Sequence, residues 1–337
     1  GSWKAAGEAK DVVTVLEGIK NAASEDAEII YAKGCEIKGE DRGGFEEAVS
    51  VAAAADVVVL VLGESADMSG EARSRSRIDL PGEQIELAKK IVRTGNEVVV
   101  VLMNGRPLAI PYLSENVSAI IETWFLGIQS GNAIADVLFG DYNPGGKLAV
   151  TIPRSVGQIP YFYYHRNPGR PPSEENPYSS KYIDLPVTPL YPFGHGLSYT
   201  EFKYSNLKIK DKKVEANDSL GISFSLKNTG KVSGSEVVQI YVKDIVASVA
   251  PPVKKLVGFK RIYLEKREEA EINIKLPANL LAFYNRDMKK VVEPGEIEVM
   301  IGSSSEDVRL DGFFTIEGKE TEIDDAEIYY STVDVKK

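Results

Sequence analysis

The chain is poor in the residues that build metal and disulfide scaffolds. Its 337 residues include one cysteine, Cys35, and two histidines, His165 and His195. A single thiol excludes an internal disulfide and any cysteine-rich zinc site, and two imidazoles leave few members for a histidine metal centre or a Ser-His-Asp triad. Cys35 itself reads as a buried structural thiol. Apolar runs are short as well: none approaches the ~20 residues of a membrane span, and no signal-peptide pattern is visible. Cationic residues are in deficit, 40 Lys and Arg against 50 Asp and Glu, for a net charge of −10. That balance argues against nucleic acid and anionic membrane surfaces as partners and leaves neutral ligands open.

What the chain does have is apolar material, 43% of residues, enough for two or more cores. Residues 1–155 alternate helical patterns with aliphatic runs. Asp56–Leu62 and Glu97–Met103 are continuous and β-branched, as strands covered on both faces of a parallel sheet should be, and Ala119–Trp124 reads as a third. Between them Gly82–Arg93 carries a 3.6-residue apolar period, and Asn132–Phe139 reads as a short helix closed by Gly140. This is βα repetition with a mostly parallel sheet. Residues 156–190 are rich in Pro, Tyr, Gly, Asn and Ser, a long irregular segment that is either functional or a connector. From Tyr199 onward the period becomes two, over Gly221–Leu226, Glu236–Val242, Ala270–Leu276 and Glu296–Ile301, with turn signals at Asn228-Thr229-Gly230 and Glu293-Pro294-Gly295. Short alternating strands without helices point to an antiparallel β-sandwich. The expected domains are 1–188, an α/β layered domain with its long connecting loop, 189–318, the all-β sandwich, and 319–337, an acidic tail that is either mobile or packed on another domain.

The richest chemistry follows the first strand. Gly63-Glu64 opens a loop that runs through Glu71, Arg73, Arg75 and Arg77 to Asp79-Leu80-Pro81, and the carboxyl end of a parallel strand is where α/β enzymes keep reactive groups. Three cations beside carboxylates more often stabilise a loop by ion pairs than bind an anion. Asn104-Gly105-Arg106-Pro107 follows the second strand, with a glycine suited to a tight turn; Arg106 reads first as packing and second as a residue of the same crevice. Gly127-Ile128-Gln129-Ser130-Gly131 joins a strand to a helix like a phosphate cradle, yet has neither nucleotide-binding spacing.

Four ordered motifs carry a family resemblance. Glu71-Ala72-Arg73-Ser74-Arg75 before Asp79-Leu80-Pro81, the strand ending in Met103-Asn104-Gly105-Arg106-Pro107, Glu122-Thr123-Trp124-Phe125 with Gly131–Leu148, and Tyr191-Pro192-Phe193-Gly194-His195-Gly196-Leu197-Ser198-Tyr199-Thr200 resemble glycoside hydrolase family 3, in particular its bacterial β-glucosidases. Lys227-Asn228-Thr229-Gly230 with Glu236–Tyr241 and Pro251–Phe259 resemble the family's fibronectin type III-like domain. The resemblance implies an α/β sandwich domain followed by a fibronectin type III-like sandwich, without the (β/α)8 barrel that supplies the family's aspartate nucleophile. No nucleophile motif occurs in this chain. A fragment, a processed product and one subunit of a split enzyme all stay open as its origin.

By the same resemblance Glu71 is the general acid/base of a retaining exo-β-glycosidase. The chemistry suits it, because such enzymes pair a nucleophilic carboxylate with a second one about 5 Å away. Glu64 is the rival carboxylate, expected to hold the loop through backbone or arginine contacts, and Arg75 matches the family's loop arginine. His165 and Arg170 lie in a Tyr-rich segment, Tyr161 to Pro171, that resembles a loop of the β-glucosidase subgroup; a sugar-binding wall and a connector over the sandwich are equal readings. His195, between two glycines, reads as a surface or interdomain contact. The implied activity is β-glucosidase, acting on terminal non-reducing β-D-glucosyl residues. β-Xylosidase or a non-catalytic carbohydrate-associated module are the alternatives. The partners implied are a β-linked glucoside or oligosaccharide and the barrel, in cis or in trans. No metal or organic cofactor is called for, and the isolated chain should be inactive. The resemblance points to a periplasmic or secreted location and leaves the cytoplasm open.

Overall fold

The computed structural model describes residues 4–173, 175–323 and 329–337, which fall into two compact units. The first comprises the chain up to Tyr142 together with Ile152–Ile159, and the second Asn143–Thr151 with Pro160–Lys337.

The first unit is α/β. Its helices are α1 (Val15–Ala22), α2 (Phe45–Ala54), α3 (Gln84–Val92), α4 (Pro111–Asn116) and α5 (Ser130–Phe139). Between them run β1 (Val57–Gly63), β2 (Glu97–Met103) and β3 (Ala119–Glu122), all parallel, in the order β1-β2-β3. Local chemistry sets the helix ends. Thr14 and Glu17 form a reciprocal capping box, with Glu17 Oε2 accepting from Thr14 N at 2.8 Å and Thr14 Oγ1 from Glu17 N at 3.2 Å. At the other extreme Gly140, at φ 84°, ends α5 in the left-handed conformation glycine tolerates. Two glycines bring α1 and α5 into backbone contact: a Cβ on Gly131 would lie 2.0 Å from Thr14 O, and one on Gly18 2.1 Å from Gly131 O.

Central β2 is the best-covered strand, with Val98, Val100, Val101 and Leu102 all buried, each contributing about 1.5–3 kcal/mol relative to exposure. β1 departs from the reading of a strand covered on both faces. It is an edge strand, and Val57 and Val61 stand exposed. The register places Gly63 beside Met103 and Leu102 beside Glu122. The residues that follow the three strands therefore emerge at one edge of the sheet, the carboxyl edge.

The second unit is a two-sheet sandwich. Its strands are β4 (Phe202–Lys210), β5 (Lys213–Val214), β6 (Ser219–Asn228), β7 (Gly234–Asp244), β8 (Lys255–Leu264), β9 (Glu269–Pro277), β10 (Phe283–Tyr284), β11 (Lys290–Val292), β12 (Gly295–Gly302), β13 (Val308–Ile316), β14 (Thr321–Glu322) and β15 (Thr332–Lys336). One sheet runs β5-β13-β12-β7-β8, the other β15-β9-β6-β4, and β10-β11-β14 form a small third. Alternation does the sorting: Leu220, Ile222, Phe224 and Leu226 of β6 point into the core with Ile272, Ile274 and Leu276 of β9, and meet Val238, Ile240 and Val242 of β7 with Ile297, Val299 and Ile301 of β12. The end of the chain belongs here, since β15 pairs antiparallel with β9 from Thr332↔Lys275 to Lys336↔Glu271.

The Tyr-rich segment also belongs to the second unit. Tyr163 stacks on Phe193 at 4.5 Å and meets Tyr241 edge-on at 5.7 Å, while its hydroxyl accepts from Leu256 N at 3.3 Å. His195 is half-buried, its ring stacked on Tyr191 at 5.2 Å, and burial with the neighbouring Lys147 ammonium pulls its pKa down. No helix among the described residues is long and apolar enough to cross a membrane.

Candidate active site

At the carboxyl edge of β1-β2-β3 the loop of residues 64–81 is closed at its base by a side chain with no obvious sequence signal. Gln84, 3% exposed, accepts from Gly63 N at 2.8 Å and donates to Gly63 O at 2.8 Å and Pro81 O at 3.0 Å. Both ends of the loop are thereby tied to one amide. Gly63 is obligatory there, since a Cβ would lie 2.0 Å from Met103 O.

Inside the loop, Glu64 is buried, its side chain 0% exposed. Its carboxylate accepts from Arg75 Nη1 at 2.7 Å, Arg106 Nε at 2.9 Å and Gly105 N at 3.2 Å. Two guanidiniums and an amide around one carboxylate satisfy the burial that an isolated charge would not survive. Arg75 donates further to Asp79 O at 3.0 Å. Arg106 Nη2 donates to Met68 O and, at 2.9 Å, to Arg73 O. Arg106 thus lies inside the loop, tied to Glu64 and to two backbone carbonyls. The segment 66–68 is pinned from outside by Lys38, whose ammonium, with the Ser65 hydroxyl, holds Asp67 at about 2.

Glu71 sits at the tip of this arrangement. Arg73 N donates to Gly70 O at 3.2 Å, closing a turn over Glu71 and Ala72, and Ala72 adopts φ 57°, as the third residue of a type II turn requires. The Glu71 carboxylate is exposed, and no hydrogen bond or ion pair holds it among the described residues. None of Arg73, Arg75 and Arg77 bonds to it; Glu64 takes the arginine contacts. His165 and Arg170 lie in the second unit, both exposed, with His165 Nδ1 3.2 Å from Phe162 O.

The end of β3 adds a carboxylate that sequence reading passed over. Glu122 Oε1 accepts from Trp124 N at 3.0 Å and Oε2 from the buried Asn104 Nδ2 at 3.2 Å; the same Nδ2 donates to Arg106 O at 2.9 Å. Burial pushes Glu122 up to about 7 despite those two bonds, and the Glu64 charge adds to the rise. The available signal was positional: a carboxylate closing a short apolar strand, two residues before Trp124.

The consequence for stability has a definite sign. Between the ordinary pKa of 4.5 and about 7, folded Glu122 keeps a proton that the unfolded chain has released, so its contribution falls as pH rises through that window. Glu122→Gln is expected to remove that slope and to be more stable than the parent at pH 8 by on the order of 1–3 kcal/mol, with little difference near pH 4.5. Urea unfolding followed by tryptophan fluorescence at the two pH values measures this. A variant with the parent's pH dependence would assign the titration to another group.

With the geometry in place, comparison with known proteins becomes specific. The family model described as the Glycosyl hydrolase family 3 C-terminal domain matches residues 1–199, and that of the Fibronectin type III-like domain matches residues 236–305. The chain is 44% identical over 335 residues to a periplasmic beta-glucosidase of Salmonella typhimurium, covering 93% of this chain and 44% of that protein. To a beta-xylosidase of Formosa agariphila it is 47% identical over 293 residues, covering 87% and 40%. The crystal structure of a beta-glucosidase from Listeria innocua in complex with glucose superposes with a TM-score of 0.86 at 39% identity, over 93% of this chain and 43% of that one. The chain spans less than half the length of each of these proteins.

Proposed function

Because the chain belongs to glycoside hydrolase family 3, we propose that it forms the acid/base-bearing part of a retaining exo-β-glycosidase, foremost a β-glucosidase acting on terminal non-reducing β-D-glucosyl residues. The observation that carries this reading is an unpartnered carboxylate, Glu71, at the tip of a tethered turn beside the carboxyl edge of a parallel sheet. A proton donor must reach a glycosidic oxygen, and a side chain engaged in an ion pair could not. Glu64, by contrast, has its oxygens taken by Arg75, Arg106 and Gly105 N.

The chemistry is double displacement. Glu71 protonates the departing oxygen while an aspartate of a (β/α)8 barrel, in cis or in trans, attacks the anomeric carbon. The Glu71 carboxylate then takes a proton from water, which releases the sugar with its β configuration retained. Two carboxylates and one water suffice, so the proposed reaction calls for no metal or organic cofactor. The 47% identity to a protein named beta-xylosidase supports a xylosyl glycone as the second reading. A periplasmic or secreted location is supported by the relative named periplasmic beta-glucosidase.

The test is complementation. The purified chain should leave aryl β-glucosides intact, because the covalent step needs the absent nucleophile, and the same chain joined to or mixed with a family barrel should hydrolyse them. Turnover by the chain alone, with contaminating enzyme excluded, would overturn the assignment of the nucleophile. A completed protein that folds yet cleaves no β-glycoside would favour a non-catalytic carbohydrate-associated module.

A further inference from the structure

We propose that Arg106 is the positioning residue of the Glu71 turn: one guanidinium, seated on buried Glu64, holds both feet of the turn and so fixes where the Glu71 carboxylate stands. This rests on the reading of Glu71 as the acid/base.

The geometry is that of an arch with a common footing. Arg106 Nη2 bonds the carbonyl of Met68 on one side and that of Arg73, at 2.9 Å, on the other. Only Ser69, Gly70, Glu71 and Ala72 lie between those two carbonyls. Arg106 Nε meanwhile bonds Glu64 Oε1 at 2.9 Å. Because both feet are backbone carbonyls, the anchor sets the course of the main chain whatever side chains stand at 68 and 73. Next to it Gly105 N bonds Glu64 Oε2 at 3.2 Å and Ser69 Oγ approaches Gly105 O at 3.3 Å. A Cβ on Gly105 would meet Ser69 Oγ at 2.2 Å, so the β2 turn and the arch are in direct contact.

Two further facts make this contact matter for Glu71 in particular. First, no side chain among the described residues holds the Glu71 carboxylate, so its place is inherited from the turn alone. Second, the footing is largely dry: the Arg106 side chain is 18% exposed and that of Glu64 0%, where charge-assisted bonds are strong and directional. Arginine suits the task because its planar fork presents donors in several fixed directions. A lysine ammonium has its three donors on one atom and cannot span a carboxylate and two carbonyls in this arrangement.

The experiment is Arg106→Lys, which keeps the charge on Glu64 while losing the span. In this chain, hydrogen exchange of the amides between 66 and 73 should quicken by about tenfold or more, with the β2 amides unchanged. In the protein completed by its barrel, kcat/KM for β-glucosides with poor leaving groups should fall on the order of 10–10²-fold, with kcat/KM for activated aryl glucosides, which reports formation of the glycosyl intermediate, much less affected. Added to Glu71→Gln, Arg106→Lys should cause no further loss on poor leaving groups, since it acts through the carboxylate already removed. Unchanged exchange in the turn overturns the proposal. So does a loss that is uniform across leaving groups and multiplies with that of Glu71→Gln, which is what a purely structural arginine would give. Should Arg106→Lys fail to fold, Arg106→Gln, which keeps the Glu64–Arg75 pair and likewise cannot span the three acceptors, is read in the same way. If Glu71→Gln shows no leaving-group dependence, the acid/base reading has failed and this proposal falls with it, an outcome recognisable because exchange in the turn still responds to Arg106→Lys.

Discussion

Glu71→Gln, in the protein completed by its barrel, is expected to slow hydrolysis of β-glucosides with poor alkoxide leaving groups by about 10²–10⁴, while those with activated phenolate leaving groups form the glycosyl intermediate at nearly the parent rate. The asymmetry comes from the proton. An alkoxide departs only if it is protonated in the transition state, whereas an activated phenolate leaves largely unaided. Glutamine keeps the shape of the side chain and withholds the proton. The second half-reaction still lacks its base, so the intermediate accumulates, and external azide, a nucleophile that needs no deprotonation, should restore turnover and yield a β-glycosyl azide. Steady-state kinetics on paired substrates and identification of the azide product check both parts. Azide rescue appearing in Glu64→Gln and absent from Glu71→Gln would show that the roles of the two carboxylates are exchanged.

Glu64→Ala is expected to cost about 3–5 kcal/mol of stability in the first unit, because it leaves two mostly buried guanidiniums facing each other without their anion. Arg75 and Arg106 are 20% and 18% exposed at the side chain, too little for water to replace the carboxylate in full. Gly105 N loses its acceptor as well. The sign of the remedy is informative. Replacing the cluster as a whole, with Glu64→Leu, Arg75→Met and Arg106→Met together, should recover much of the loss, since uncharged side chains carry no desolvation penalty. Urea denaturation read through tryptophan fluorescence separates the cases. A change within about 1 kcal/mol for Glu64→Ala would mean that water or a moved side chain satisfies the arginines.

The strands of the first unit were legible as unbroken, β-branched runs, although only β2 has the burial that such a run implies. The expected Glu97–Met103 agrees with β2 at both ends, and Asp56–Leu62 is displaced by one residue from β1. The α5 terminus was legible for a local reason, the left-handed Gly140. β4 was harder to see, since Asn206 at φ 59° interrupts its alternation and the register against β6 slips between Ser205 and Lys208. β8 faces a similar slip between Ile240 and Tyr241, where Gly258 lies against Ile240 and Ser331. In the site, Glu64, Glu71 and Arg75 could be picked out because they follow one strand in sequence. Gln84, Asn104, Arg106 and Glu122 come from α3 and from the ends of β2 and β3, and they acquire their roles only when the sheet brings those ends together. Spacing along the chain does not encode that meeting; the hydrogen-bonded register does.

The closing strand of the sandwich has a bearing on how the molecule behaves in a crowd. A β-sheet ending on β9 would offer the outward-facing N–H and C=O groups of a nine-residue strand, a template onto which a strand of any neighbouring molecule could add. β15 lies along that row, and the strand left outermost is five residues long and carries Asp334 and Lys336 on exposed positions. A short, charged rim is a poor seed for stacking. β15 therefore covers residues Glu271–Lys275 of the β9 edge, replacing that stretch with a shorter, charged one.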